Sequence, residues 1–492
     1  MSMERTIRTL CTAQSITIFW EKLPEDREAY SVSLNGGARL ACASTHGSFE
    51  GLSPDTEYTL SAFCGETLLG SVSARTEKPR RRLNVRDFGA VGDGKTMDRA
   101  ALQAAIDACT AEDEVYLPAG VYLTGALKLH SRMALNLDEG AVLQGSSETE
   151  DYLPRIPSRF EGVEQECYSS VLNLGELDHS AGPNCRDVLI YGRGRIASGG
   201  QPLAEAFIAR ETERLRDYLA ENAALVATCQ RPDTIPGRVR PRLINLSNCE
   251  NVRISGLTLE NGASWNVHMI YCRGIVTDHC VFRSEGVWNG DGWDPDSSED
   301  CTLFASRFYT GDDAVAIKSG KNPEGNRINR PTRHIRIFDC LSDFGHGIVI
   351  GSEMSGGVED VKIWDCDLGS AMQGFEVKAT SKRGGFVRDV QLIDCTVARV
   401  LMHAVPYNND GVPAPAQPVI ESCRFDRVRI LGQSLDHDHV TTACPAIELE
   451  GFDCPGHEIR DISFYDCVLA EGNRGVCLSR CENIRFQNLK NE

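Results

Sequence analysis

HIRIFDCLSDFG (334–345), VKIWDCDLGS (361–370), VQLIDCTVAR (390–399) and DISFYDCVLA (461–470) are four versions of one unit. Each is a short β-rich run with Cys near its centre, followed by a turn. Further copies are DVLIYGRGRI from 187, NVRISGLTLENG from 251, GIVTDHCVFRS from 274, CTLFASRFYTG from 301 and NIRFQNL from 483. Most successive copies begin about 23–33 residues apart. Runs this short cannot bury a core alone, but stacked copies can, which is the logic of a solenoid. No helices of 10–15 residues separate them, so a doubly wound sheet or a barrel of alternating strands and helices is disfavoured. The pattern predicts an all-β chain built as a right-handed parallel β-helix. Cys340, Cys366, Cys395 and Cys467 hold equivalent positions and are expected to stack as an interior ladder. With no CxxC pair, a metal role for them is disfavoured.

Outward from the repeats the chain changes character. Residues 1–78 contain alternating segments at Ser15–Trp20, Tyr30–Leu34 and Thr59–Phe63. Leu52 and Tyr58 flank Pro54 in a spacing that suggests a tyrosine corner, and Trp20 would fill a small core. This segment resembles a fibronectin type III domain, a small β-sandwich that usually serves as a spacer or docking module. KPRRR (78–82) reads as a solvated linker, and residues 79–492 as the β-helix domain. Ala100–Cys109 has the spacing of a short amphipathic helix. An insertion over about 150–240, with a helical Ala204–Leu225, interrupts the rhythm and is expected to shape one face.

Composition sets outer limits. The 492 residues carry a net charge of −19, a poor basis for binding nucleic acid. No run approaches the roughly 18 apolar residues of a membrane span. No signal peptide is visible at the N-terminus, so the 20 cysteines are expected to be reduced and the protein cytoplasmic. Nothing in the sequence specifies an oligomeric state.

The densest acidic cluster falls in two adjacent repeats. WNGDGWDPDSSED (288–300) supplies Asp291, Asp294 and Asp296, and TGDDAVAIKSG (310–320) supplies Asp312 and Asp313. Asp291 and Asp312 are 21 residues apart, near one coil, so their carboxylates are expected on one outer face. Like charges held together raise at least one pKa, as an acid and base pair for glycoside hydrolysis requires. Turn chemistry and calcium binding remain open for the same residues. The next coil adds His346 between Gly345 and Gly347, glycines that would allow close approach to a ligand. One coil on, GFEVKATSKRGG (374–385) brings Lys378, Lys382 and Arg383, which could bind a carboxylate.

The ordered set NGDG (289–292), GDD (311–313), GHG (345–347) and a strand Lys resembles the polygalacturonase family of glycoside hydrolases. NVRDFGAVGDGKTMD from 84 and GVYLTGALKL from 120 are similar to the start of that family's β-helix, so the resemblance covers roughly residues 80–490. It implies hydrolysis of galacturonic-acid linkages in pectic oligosaccharides, with inversion and without metal or other cofactor. By that resemblance Asp312 is the general acid, Asp291 and Asp313 hold and activate water, and His346 supports the acid and the sugar. Lys378 binds the substrate carboxylate, and Asn289 precedes the first Asp of the motif. Trp265 and His268 in SWNVHMIYC resemble a cleft-lining element, and Arg240 and Arg242 are further cation candidates.

Two positions depart from the family pattern. Glu376 stands where the family has an Arg, with Lys382 or Arg383 as possible compensation, and Gly290 stands where it has a Thr. The insertion and the long Gly311–Gly345 segment, with KNPEGNRINRPT, suggest a cleft closed at one end, and the N-terminal module is similar to the layout of bacterial exo-acting members of the family, so attack from a chain end is expected. Two other functions are weighed. A non-catalytic polysaccharide binder would have no need of Asp291, Asp312, Asp313 and His346 together. A calcium-dependent pectic lyase on the same fold would lose activity with a chelator.

Overall fold

The structure, a computed structural model, describes residues 5–227, 238–405 and 411–492. Two compact units are present, Met1–Arg81 and Arg82–Glu492. In the first, a three-stranded sheet (Arg8–Cys11, Ser15–Phe19, His46–Glu50) and a four-stranded sheet (Leu40–Cys42, Tyr30–Leu34, Glu57–Cys64, Thr67–Arg75) are both antiparallel. Ile16, Ile18, Trp20, Tyr30, Val32 and Leu60 form its core, with the Trp20 and Tyr30 rings edge to face. The Tyr58 hydroxyl accepts a hydrogen bond from the Ser53 N–H at 3.0 Å, the upstream link expected from the Leu52–Tyr58 spacing.

The second unit is a parallel β-helix of three long sheets with 14, 13 and 11 strands among the described residues. Strand alternation explains why these short runs close on a core. In the 11-stranded sheet Val267, Met269, Trp293, Val315, Ile317, Ile348, Ile350, Phe375 and Val377 point inward and are buried in one cluster. The residues between them, His268, Asp294, Asp296, Lys318, Glu376 and Lys378, face outward. Register holds this parity from coil to coil: Val267 pairs with Trp293, Trp293 with Val315, Val315 with Ile348 and Ile348 with Phe375.

The Cys repeat has a turn-based origin. Asp339, Asp365, Asp394 and Asp466 adopt φ of 50–53°, the left-handed region that short polar side chains tolerate best. Each turns the chain from one sheet to the next, and the residue that follows it is a Cys. Those cysteines are buried and stacked: the Cys366 thiol donates to the Ile337 carbonyl of the preceding coil at 3.9 Å, and Cys395 to that of Ile363 at 3.9 Å. The expected interior ladder is therefore present, and the described cysteines are all free thiols. Beside it Phe304, Phe338 and Trp364 stack at 4.9 and 4.5 Å with nearly parallel planes.

The single insertion expected over 150–240 is two excursions, because strands Leu172–Leu174, Cys185–Gly192 and Arg195–Ala197 continue the coils between them. The first excursion is an antiparallel hairpin, Ile156–Phe160 with Val163–Cys167. The second contains helices Gly200–Arg214, Arg216–Glu221 and Ala223–Val226. Phe207 of the long helix packs on Tyr152 and Tyr168, and its buried Glu211 accepts from the Tyr168 hydroxyl at 2.6 Å. No helix among the described residues is long and apolar enough to cross a membrane.

Parity gives a direct test. Ile317→Ala opens the interior and is expected to cost about 2–5 kcal/mol, whereas Val121→Ala, at a 37% exposed position, should change stability by less than about 0.5 kcal/mol. Urea midpoints of the two variants check this; equal shifts would contradict the assigned parity.

Candidate active site

Register decides which acidic residues meet. Trp293 pairs with Val315 and Val315 with Ile348, so the residue two before each forms a column: Asp291, Asp313 and His346. The Gly292 N–H donates to the Asp313 carbonyl at 3.0 Å, which ties the two coils together there. Asp291 thus stands opposite Asp313 rather than Asp312, because this coil has 22 residues and not 21. Asp312 lies one residue along and joins through His346, whose Nδ1 is 3.2 Å from Asp312 Oδ1 and 2.8 Å from Asp313 Oδ1. Lys378 Nζ donates to both Asp313 oxygens at 3.2 and 3.3 Å.

A second row, four to five residues on, supplies the cations. Lys318 is bridged to Asp296 in the sheet, and its Nζ lies 3.1 Å from Asp291, 3.4 Å from Asp294 and 4.1 Å from the centre of the Trp265 ring. Three carboxylates, Asp291, Asp312 and Asp313, therefore face three cations, Lys318, His346 and Lys378. The sequence reading passed over Lys318; its parity, matching Asp296 one coil earlier and Lys378 two coils later, is the signal that places it.

Burial and charge separate the carboxyls. Burial raises Asp291 well above the ordinary range, and Asp294, Asp312 and Asp313 add to this against the opposing pull of Lys318. Burial likewise brings Asp294 up to about 7 despite Lys318. Asp312 goes the other way: burial raises it, but the charges of His346 and Lys378 outweigh burial and hold it well below the ordinary range. Burial lowers His346, yet Asp312 and Asp313 overcome it and lift the imidazole to about 10.

Asp312, Asp313 and His346 present ligand atoms within 4.8 Å of one another, which is compact enough for a metal ion. The chemistry of the donors argues otherwise. Nδ1 faces two carboxylate oxygens and must carry a proton to satisfy them, so it is a donor here and not a ligand.

Several expected binding residues have other partners. Arg240 is buried, and its guanidinium donates to the Trp288 carbonyl at 3.2 Å and to Asn289 Oδ1 at 2.6 Å. Arg240 and Asn289 thus hold each other and fix the loop that carries Asp291. Arg383 is 2% exposed and donates to the Ser352 carbonyl at 2.8 Å and Asn322 Oδ1 at 2.7 Å, so it braces two turns. Lys382, half-buried on the same turn, has its backbone N–H on Thr380 at 3.2 Å. Glu376 does not oppose a substrate carboxylate openly: it is buried, its Oε1 is 2.6 Å from His403 Nε2, and although burial raises it, Lys378 and His403 bring it to about 2.

His268 is buried against Trp265 and lies 3.3 Å from Asp296 Oδ2; burial takes it down to about 3, so it is neutral. Asp296 is held by Arg159 of the hairpin excursion at 2.7 Å. The same hairpin stacks Phe160 on Trp265 at 4.9 Å and gives its Gly162 carbonyl to the Lys321 N–H at 2.9 Å, walling one end of the outward row. Arg242, buried beneath the hairpin, donates to the Arg159 carbonyl and to Asn245.

The glycines serve the coil. A Cβ on Gly345 (φ 101°) would lie 2.1 Å from Thr310 Oγ1, and one on Gly347 (φ 99°) 2.2 Å from the Gly374 carbonyl oxygen. Neighbouring coils, rather than a ligand, make the close approach. Nor is Gly290 a neutral replacement for Thr, since a Cβ there would sit 2.8 Å from the Val287 carbonyl oxygen.

Asp291 Oδ1, both Asp294 oxygens, His268 Nδ1 and Arg242 Nη1 are buried without a hydrogen-bond partner among the described residues. Buried polar atoms are nearly always satisfied, so these atoms have hydrogen-bonding capacity left for water or a polar ligand.

Residues 227–410 match Glycosyl hydrolases family 28, and residues 82–154 match the family described as rhamnogalacturonase A/epimerase, pectate lyase-like. The chain is 27% identical over 401 residues to an exo-poly-α-D-galacturonosidase of Dickeya chrysanthemi, covering 77% of this chain and 66% of the relative. It is 32% identical over 327 residues to a probable polygalacturonase of Vitis vinifera, covering 63% and 60%. The chain thus spans slightly less than two thirds of the length of these curated relatives. Its fold matches a family 28 exopolygalacturonase from Yersinia enterocolitica (TM-score 0.80, 22% identity, 99% and 98% coverage). It also matches a hyperthermoactive exopolygalacturonase from Thermotoga maritima (TM-score 0.67, 25% identity, 83% and 92%). The Asp291, Asp312–Asp313 and His346 motifs thus lie on one face of a β-helix, within the segment 227–410 that matches Glycosyl hydrolases family 28, in a chain similar to polygalacturonases.

Proposed function

We propose that this protein hydrolyses galacturonic-acid linkages in pectic oligosaccharides, from a chain end and with inversion at the anomeric carbon. The observation that carries the reading is the Asp312–His346–Asp313 bridge with Asp291 in register beside it. One carboxyl protonates the leaving oxygen and another takes a proton from the attacking water. Asp312 is assigned as the acid and Asp291 with Asp313 as the water-holding pair.

In the free site Asp312 is the more acidic group, so the substrate must help. A uronate carboxylate that pairs with Lys378 competes with Asp313 for that cation and adds a negative charge near Asp312. Both effects favour the protonated form of Asp312. A uronide thereby tunes its own acid, and a neutral sugar does not. Attack from a chain end is supported by the hairpin wall at Arg159–Phe160 and by the exo-acting names of the Dickeya chrysanthemi relative and the structure from Thermotoga maritima. The 1–78 unit is read as a fibronectin-like spacer, supported by its three-plus-four strand split and the Tyr58 link. A reducing, cytoplasmic setting is our reading of its unpaired thiols.

Mass spectrometry of hexagalacturonate digests tests the activity. Mono- or digalacturonate should be released from one terminus, and Asp312→Asn, Asp291→Asn and Asp313→Asn should each lower kcat by about 10²–10⁴. Internal scission, or near-normal turnover by the Asp312 variant, would contradict the reading.

The pH profile tests the tuning. A general acid works only while protonated, so activity falls as pH rises through its pKa. The alkaline limb of kcat, which reports the bound complex, should therefore lie at higher pH than that of kcat/KM, which reports the free site. Coincident limbs would show that the substrate does not raise the acid.

A further inference from the structure

The three coils that supply Asp291, Asp312 and His346 share a second feature. Just before each catalytic turn, the neighbouring 13-stranded sheet carries Arg283 and Tyr309 in register, and then Asp343 at a bulge where Tyr309 pairs with Phe344. Arg283, Tyr309 and Asp343, with Asn261, Glu285 and Arg307, line a cavity of about 700 Å³, within the size range of small-ligand sites.

Its charges are unevenly matched. Arg307 is spent on Asp343, with Nη2 2.9 Å from Oδ1. Glu285 Oε1 lies 2.8 Å from His439 Nε2. Arg283 is exposed and has no ion-pair partner among the described residues, although the chain as a whole carries a net charge of −19. Tyr309, paired with Arg283 in the sheet, is 38% exposed. An unspent guanidinium beside an open aromatic ring matches a pyranose bearing a carboxylate: the ring packs on the sugar face, and the guanidinium takes the carboxylate in two hydrogen bonds.

The cavity is joined to the catalytic row. The hairpin Gln433–Leu435 with Thr441–Ala443 reaches over this edge. His439 at its tip stacks on Phe344 at 4.2 Å and holds Glu285, while His437, two residues earlier, has its ring centre 6.5 Å from that of His346. The hairpin thus runs from beside His346 to Glu285, which lines the cavity two residues from Arg283.

We infer that this cavity is a remote uronide subsite, in which Arg283 and Tyr309 hold a galacturonate unit of the substrate chain beyond the bond being cleaved. The inference rests on the proposed galacturonide activity. It predicts that affinity depends on chain length through residues that touch neither Asp312 nor His346.

Arg283→Gln and Tyr309→Ala are compared with the wild type on hexagalacturonate and digalacturonate. The ratio of kcat/KM for the hexamer over the dimer should fall about tenfold in Arg283→Gln, through KM, and fall likewise in Tyr309→Ala. An unchanged ratio in both variants would overturn the subsite. Calorimetric titration of hexagalacturonate into Asp312→Asn and into Asp312→Asn/Arg283→Gln separates this from failure of the wider reading. A wild type that cleaves neither oligomer contradicts the proposed activity, whereas equal affinities in the titration contradict the subsite itself.

Discussion

Side chains alternate along a strand, and in-register parallel stacking carries that alternation from coil to coil without slippage. This constraint makes both the core and the site. Trp293, Val315, Ile348 and Phe375 form one buried row because each pairs with the next. Asp296, Lys318 and Lys378 form the opposite row for the same reason. A one-residue slip in any coil would turn its charges into the core and its apolar residues to solvent, so the catalytic constellation and the stability of the solenoid are specified together.

The site then works by distributing charge among groups that the fold forces together. Three carboxylates and three cations nearly cancel, but not evenly. Lys318 serves Asp291 and Asp294, which stay above the ordinary carboxyl range because burial dominates, while His346 and Lys378 hold Asp312 below it. In the free site this separation runs against the proposed roles, because the carboxyl assigned as acid is the one held low. Under the proposed function, a substrate carboxylate would enter that balance as one more charge and link recognition of a uronide to protonation of the acid.

Much of this was legible in the repeats. The Asp–Cys pairs at 339–340, 365–366, 394–395 and 466–467 showed the coil, since a left-handed turn followed by a small buried residue recurs once per revolution. The Asp291, Asp312–Asp313 and His346 motifs gave the chemistry. Four things were not legible, each because it depends on coil length or on a distant segment. Counting 21 residues from Asp291 reached Asp312, whereas the 22-residue register reaches Asp313. Lys318 directly follows the apolar residues 314–317, and only its stacking on Asp296 in the neighbouring coil makes it a partner of Asp291. Arg240 and Arg383 looked like free cations, but Asn289 in one case and Ser352 with Asn322 in the other occupy them. The sequence also contains no local sign that Arg159, far upstream, closes over Asp296.

The central claim is that a water molecule held by Asp291 and Asp313 attacks the anomeric carbon from the face opposite Asp312. Proton NMR during the first minutes of oligogalacturonide hydrolysis, before mutarotation, tests it most directly. The account predicts that the newly formed reducing end appears first in the anomeric configuration opposite to that of the cleaved bond. A first-formed product that keeps the original configuration would contradict it, because retention requires a carboxylate close enough to attack the sugar itself.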